Sequence, residues 1–216
     1  MSAVSSPVTP EHFRYLAKRT QQEDDFLRDL KREADKAGIP PIWISPEQAS
    51  FLQILLELGR CRRVVEVGTL AGYSAIAMAR ALPEDGEVRT IELKDAHADF
   101  AERWIAASDV AGRIRVHRGN ARELLPGFEA DWADAAFLDA DKASYPFYLD
   151  QCLRIVRRGG LIVADNAFAF GQLFEAQPTD PEVPAVRAFN DYMAGSKEMH
   201  SIIVPIGDGC WVGVRR

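Results

Sequence analysis

Between residues 64 and 165 the chain alternates short apolar runs with helix-forming stretches, and this alternation constrains the fold more than any other feature. Residues 64–67, 88–92, 114–117, 135–139 and 161–165 read as strands, those around 136–138 and 163–164 being the apolar runs of buried parallel strands. Residues 73–82, 96–110, 121–125 and 145–156 lie between them as helices. Pro83-Glu84-Asp85-Gly86, Ala111-Gly112 and Gly159-Gly160 read as turns or helix stops. Strands that alternate with helices join through right-handed crossovers, which predicts an α/β fold with a parallel, doubly wound, Rossmann-like sheet. The end of the chain differs. After a helix near 183–193, residues 201–206 and 210–214 flank Gly207-Asp208-Gly209, a hairpin signal.

Ahead of the alternation, residues 1–9 read as a loose tail. Residues 10–21 and 23–36 read as two polar amphipathic helices, the second stopped by Gly38 and Pro40-Pro41. A third helix is better marked: Ser45 can cap it, Pro46 takes its first position, and Gln48 completes a capping box ahead of Phe51, Leu52, Ile54, Leu55 and Leu58. With 216 residues and neither linker nor repeat, the expectation is one domain over 1–216, residues 1–40 forming a helical N-terminal extension. The net charge of −6 supplies no electrostatic footprint for nucleic acid. No apolar run approaches membrane-spanning length, and residues 1–10 lack the pattern of a signal peptide. Cys61, Cys152 and Cys210 are few, odd in number and far apart, as expected for reduced core thiols in a cytoplasmic protein. His12, His97, His117 and His200 have no metal-ligand spacing and read as surface or packing residues.

Chemistry concentrates where the strands end. Ala136-Phe137-Leu138-Asp139-Ala140-Asp141-Lys142 is an apolar run that breaks into charged residues, and Val163-Ala164-Asp165-Asn166 echoes it. Open α/β sheets bind ligands at the carboxyl ends of their strands. Asp139, Asp165 and Asn166 are three hard oxygen donors from two such ends, with Lys142 alongside. That set suits a divalent cation that activates a hydroxyl. The gap between the two segments fits one helix, so the strands can be neighbours. Upstream, Gly68-x-x-x-Gly72 separates the first strand from its helix, with Glu66 before it and Glu92 closing the second strand. Glycine there lets the backbone approach a ligand, and an acid at the second strand end suits ribose hydroxyls. The dinucleotide fingerprint needs a further glycine where Leu70 stands, so a nicotinamide-dependent oxidoreductase ranks last.

These motifs, in this order, resemble the cation-dependent O-methyltransferases, the group that includes catechol and caffeoyl-CoA O-methyltransferases. The matching stretches are Val64-Val65-Glu66-Val67-Gly68-Thr69-Leu70-Ala71-Gly72-Tyr73-Ser74, Phe137 to Lys142, Asp165-Asn166, and Pro205-Ile206-Gly207-Asp208-Gly209. The resemblance spans roughly residues 20–216. It implies a class I methyltransferase fold, a mostly parallel seven-stranded sheet with an antiparallel strand from the C-terminal hairpin. It implies S-adenosylmethionine as methyl donor: Glu92 on the ribose, Glu66, Gly68, Gly72, Tyr73 and Ser74 around the methionine part, Ile44-Ser45 at its carboxylate, and Asn120 and Ala121 at the adenine edge. Asp141 falls near the donor's ammonium. Asp139, Asp165 and Asn166 would hold Mg²⁺, or Ca²⁺ or Mn²⁺ in its place. Lys142 would be the general base, since an ammonium beside a cation and partly desolvated gives up its proton more readily.

Three oxygen donors leave octahedral positions for a chelating vicinal diol, so the acceptor class expected is a small catechol-type molecule. The family's bacterial and plant members are commonly dimers, which implies a homodimer with the first two helices near its interface. The loop Ala167-Phe168-Ala169-Phe170-Gly171 departs from the pattern: many relatives carry Trp where Ala169 stands, and Phe168 or Phe170 is the candidate replacement wall. Trp43, beside the cofactor stretch, is a further wall candidate. Residues 174–184 fit either a lid or a surface loop. Two other functions stay open. One is methylation of a hydroxylated tRNA base, which a basic patch around Lys18, Arg19, Arg28 and Arg32 would favour. The other is a non-catalytic cofactor-binding or scaffolding module.

Overall fold

The structure is a computed structural model that describes residues 8–216, so most of the expected tail lies outside the described residues. The first helices are shorter than their sequence pattern: α1 covers Pro10–Ala17 and α2 covers Asp25–Lys36, with the Asp24 carboxylate capping α2 through the Leu27 N–H. The capping box predicted for α3 (Pro46–Leu58) is present, Ser45 and Gln48 satisfying each other's backbone N–H groups.

From there strand and helix alternate: β1 (Arg63–Val67), α4 (Tyr73–Arg80), β2 (Glu87–Glu92), α5 (Asp95–Ala106), β3 (Ile114–Arg118), α6 (Ala121–Leu124), β4 (Ala133–Leu138), α7 (Tyr145–Ile155) and β5 (Val156–Ala164). The chain closes with α8 (Val183–Gly195), β6 (Met199–Val204) and β7 (Cys210–Arg215). The seven strands lie in the order β3-β2-β1-β4-β5-β7-β6. The first five are parallel, and β7 inserts antiparallel between β5 and the edge strand β6. The hairpin read from Gly207-Asp208-Gly209 thus supplies the antiparallel strand.

Alternate residues of each strand feed opposite layers. Val64, Val88, Phe137 and Val163 pack under α2, α3, α4 and α5, while Val65, Val67, Ala136, Leu138 and Ile162 pack under α7 and α8. Both faces of the central strands β1 and β4 and of the end of β5 are therefore covered, which is why those segments are nearly uninterrupted apolar runs, while the edge strand β3 stays partly exposed. After β1 the chain builds outward through β2 and β3, then returns to place β4 on the other side of β1. That reversal opens a crevice at the carboxyl ends of β1 and β4, where such sheets bind ligands.

Gly159-Gly160 does not stop α7. The helix ends at Ile155, and both glycines lie inside β5, where its pairing to β4 slips between Ala133 and Ala135. Gly159 adopts φ +75°, and a side chain at Gly160 would meet the Asp134 carbonyl at 2.6 Å. The pair bends a strand past its neighbour, a role that helix-stop reasoning does not anticipate. Cys61, Cys152 and Cys210 are all buried and unpaired, as expected. Among the described residues no helix is long and apolar enough to cross a membrane.

Candidate functional site

A cleft of about 770 Å³ opens at the carboxyl ends of β1, β2 and β4. At its floor the ends of β1 and β4 approach closely because Gly68, at φ +102°, has no side chain to collide with the Asp139 carbonyl. This is a position that only glycine satisfies. Gly72 differs: it caps α4 in the left-handed conformation, and a side chain there would face Ala101 and Ile105 of α5 at 3.4–3.6 Å. It serves the turn and the helix packing, away from the cleft wall.

At the β2 end of the cleft, Glu92 is 7% exposed. Its carboxylate accepts from the N–H of Leu70 at 2.8 Å and of Lys94 at 2.9 Å, with His97 Nδ1 3.6 Å away. Two amides fix the group and leave lone pairs for donors in the cleft, which is what two adjacent hydroxyls require. Asn120 spends its side-chain oxygen on the Arg122 N–H as the cap of α6, while its edge and Ala121 still line the cleft. Asp141 is held by the Tyr148 hydroxyl at 2.6 Å.

Ile44, Trp43, Tyr73 and Ser74 also line the cleft. Ser45 stands back from it, its polar groups taken up by the capping box. Tyr73 turns its hydroxyl outward to Glu23, which pairs with Lys31 of α2 at 2.6 Å, so the N-terminal extension is tied to the cleft wall. Glu66 lies beneath the floor, fully buried, with neither carboxyl oxygen hydrogen-bonded. Burial pushes its pKa up to about 8, and the Ser74 and Thr90 hydroxyls beside it only partly oppose that shift. An orphaned carboxyl under a cleft is a group still waiting for a donor.

At the other end stand the acids of β4 and β5. Asp165 is buried, and its carboxyl is raised first by that burial and then by the negative charge of Asp139. One of its oxygens, Oδ1, accepts from Gln48 Nε2 at 2.9 Å and from the Cys210 thiol at 3.3 Å. Asn166, in the left-handed region at φ +65°, donates through Nδ2 to Asp208 at 3.2 Å, so its Oδ1 is free. Lys142 is only 3% exposed and sets its Nζ 3.1 Å from Asp139 Oδ1 and 2.7 Å from the Tyr145 hydroxyl. Glu182, from the start of α8, accepts from the Lys142 N–H at 2.9 Å and also lines the cleft. Among the described residues no three His, Cys, Asp or Glu side chains converge as a metal site; the set here is two carboxylates and an amide. The donor chemistry fits a hard cation: two carboxylates and an amide oxygen with no competing donor.

Asp139, Asp141, Lys142 and Asn166 thus share one cleft with Glu92, Gly68 and Asn120. Phe170 takes a place in the wall, whereas Ala169 is buried beside it. Lys94, His97, Arg122, Tyr148 and Glu182 also line the cleft and were not read as site residues from the sequence. For His97 a signal existed, since it follows Glu92 within one helical turn of the strand end. Gln48 and Asp208 read from the sequence only as a capping-box residue and a hairpin-turn residue of a matching stretch, because the partners they bond in the site lie 117 and 42 residues away.

The sequence matches the O-methyltransferase family over residues 17–216. The catechol O-methyltransferase of Niastella koreensis is 36% identical, the match covering 88% of this chain and 87% of that protein. Among solved structures, the O-methyltransferase TomG of Streptomyces achromogenes, in complex with SAM, superposes with TM-score 0.83 at 30% identity, covering 95% and 96% of the two chains. An O-methyltransferase from Bacillus cereus in complex with SAH gives 0.85 at 29% identity, covering 94% and 96%. Family match, near full-length relatives and a shared fold make this chain a member of the O-methyltransferase family.

Proposed function

We propose that the protein is an S-adenosylmethionine-dependent, divalent-cation-dependent O-methyltransferase acting on catechol-type small molecules. One observation carries this reading: the fixed Glu92 carboxylate and the Asp139, Asn166 and Lys142 side chains face one continuous cleft. S-adenosylmethionine, when bound, supplies an electrophilic methyl group on sulfur. Glu92 would accept from its ribose hydroxyls, Gly68 would give its methionine part room, Glu66 would offer the unpartnered carboxyl below it, and Asn120 and Ala121 would border the base.

A divalent cation, held by Asp139, Asp165 and Asn166, supplies positive charge that eases ionisation of an acceptor hydroxyl. Lys142, once its ammonium has lost a proton to solvent beside the cation, would take the proton from that hydroxyl as a neutral amine; its Nζ lies 3.1 Å from Asp139 Oδ1. Transfer of the methyl group to the acceptor oxygen would leave the donor as a neutral thioether and the hydroxyl proton on Lys142, so charge and atoms balance. Trp43 and Phe170 wall the acceptor and keep water out. Holding both reactants in one cleft supplies much of the rate.

A tRNA acceptor is less favoured by the charge pattern. Arg28 pairs with Asp25, and Arg32 pairs with Asp29 and Glu33, so the basic residues of α2 are neutralised locally. The test is a turnover screen with labelled S-adenosylmethionine against catechols, caffeoyl esters, flavonoids and bulk tRNA. Methylated catechols should form with Mg²⁺, and EDTA should abolish the reaction. Full catechol methylation in excess EDTA would refute the cation; no product from any acceptor would favour a non-catalytic module.

A further inference from the structure

The hairpin turn Gly207-Asp208-Gly209 does more than reverse the chain. The Asp208 carboxylate accepts from Asn166 Nδ2 at 3.2 Å, from the Phe170 N–H at 2.7 Å and from the Gly171 N–H at 3.1 Å. Its backbone carbonyl accepts from the Phe168 N–H, and the Gly209 carbonyl accepts from the Ala167 N–H, both at 2.8 Å. Asp208 is thus bonded along the whole loop that follows β5.

That loop needs holding. Asn166, Ala169, Phe170 and Gly171 all have positive φ, between 54° and 74°. Three of them carry side chains, for which this conformation is unfavourable and persists only where the surroundings impose it. The two glycines of the turn are equally constrained. A side chain at Gly209 would meet the Phe168 ring at 2.8 Å. One at Gly207 would collide with the amide of Gln48, the residue that donates to Asp165. From one turn, contacts therefore run to both β5-end donors, to Asn166 directly and to Asp165 by way of Gln48.

We propose that Asp208 is a positioning residue that fixes the donor face of Asn166, with the turn acting as a brace for the cation site. The inference rests on the cation reading above. A carboxylate only accepts hydrogen bonds, so it can face nothing but the –NH₂ end of the Asn166 amide, and the carbonyl oxygen is left directed away from Asp208. An amide in place of Asp208 would lose this discrimination, because it offers donors as well as an acceptor and tolerates either orientation of Asn166. Outer partners of this kind typically set metal affinity by about 10–100-fold.

The experiment compares the wild-type protein with Asp208→Asn and Asp208→Ala. Mn²⁺ binding to the metal-free proteins is followed by the loss of the free-ion paramagnetic resonance signal. S-adenosylhomocysteine affinity is measured by calorimetry, and thermal melting of the metal-free proteins is recorded. Asp208→Asn should weaken Mn²⁺ about 10–100-fold and leave S-adenosylhomocysteine affinity within about twofold, since Glu92 on β2 and Gly68 just after β1 have no bond to the turn. If Asp208→Ala fails to fold, Asp208→Asn, nearly the same size, carries the test alone. Wild-type Mn²⁺ affinity in Asp208→Asn would overturn the proposal. So would parallel losses of Mn²⁺ affinity, S-adenosylhomocysteine affinity and melting temperature, the signature of a turn that only maintains the fold. A wild-type protein that binds no Mn²⁺ would instead overturn the cation reading, and the brace with it.

Discussion

Glu66 is a fully buried acid with no hydrogen-bond partner, and that sets up a conflict between stability and function. Its pKa rises from 4.5 to about 8, chiefly through burial. Below the lower value the side chain is protonated whether the chain is folded or not. Between the two values the unfolded chain releases the proton while the folded one keeps it, so stability falls as pH rises and the whole penalty is present above the higher value. Its size is on the order of several kcal/mol. Glu66→Gln, neutral throughout, should therefore melt well above the wild type at pH 9 and close to it at pH 4 in the absence of ligand. A difference that does not change with pH would show that ionisation at Glu66 is not what strains the fold. Lys142 poses the complementary question. Its Nζ sits on Asp139 and Tyr145 and touches nothing on the Glu92 side. Lys142→Met should lower kcat by about 10²–10⁴-fold, the usual contribution of a general base, with cofactor affinity nearly intact. Undiminished kcat in single-turnover measurements would remove Lys142 from the proton transfer.

At the level of elements, α1 and α2 look alike in sequence and behave differently in the fold. Helix α2 buries Leu27, Leu30 and Ala34 in the layer beneath α4 and α5, whereas α1 buries nothing. Leu30→Ala should cost about 2–5 kcal/mol in denaturant unfolding, as for a fully buried leucine, and Leu16→Ala should cost little. Equal losses would mean that α1 is packed more firmly than its exposure implies. The contrast was not legible beforehand, because both segments mix Phe and Leu with many charges, and periodicity cannot say which face meets a partner. The central strands β1, β4 and β5 were legible as apolar runs, whereas β2 and the edge strand β3 carry Arg, Thr and His and were legible through their place in the alternation. Gly159-Gly160 was misread as a helix stop because a strand bend and a helix end use the same residue for the same reason, a backbone that side chains would block. In the site, the acids at the ends of β4 and β5 stood out as polar residues interrupting apolar runs. Gln48, Glu182 and Asp208 did not, because each acts on a partner brought near only by folding.

At the scale of the whole molecule, one surface is left unexplained by the cleft. Tyr15 and Leu16 of α1 are 58% and 42% exposed, and Ile54 and Leu58 of α3, the helix that α1 packs against, are 54% and 77% exposed. Apolar side chains gathered on neighbouring helices mark an association surface more often than single exposed residues do. Two-fold pairing is the commonest assembly, so a homodimer formed through α1 and α3 is the expected state in solution. Light scattering should give twice the chain mass at micromolar concentration, and Leu16→Glu with Leu58→Glu should halve it. The N-terminal segment can be dissected only with the fold in mind. Removing residues 1–36 would strip Leu27, Leu30 and Ala34 from the core and the Glu23 partner from Tyr73, so any loss of activity would report unfolding. Removing residues 1–19 spares all of these. That shorter deletion should give a folded monomer that still binds S-adenosylhomocysteine. A truncated protein that stays dimeric would move the interface elsewhere, and a wild-type monomer with full activity would show that the exposed face of α1 and α3 serves no pairing at all.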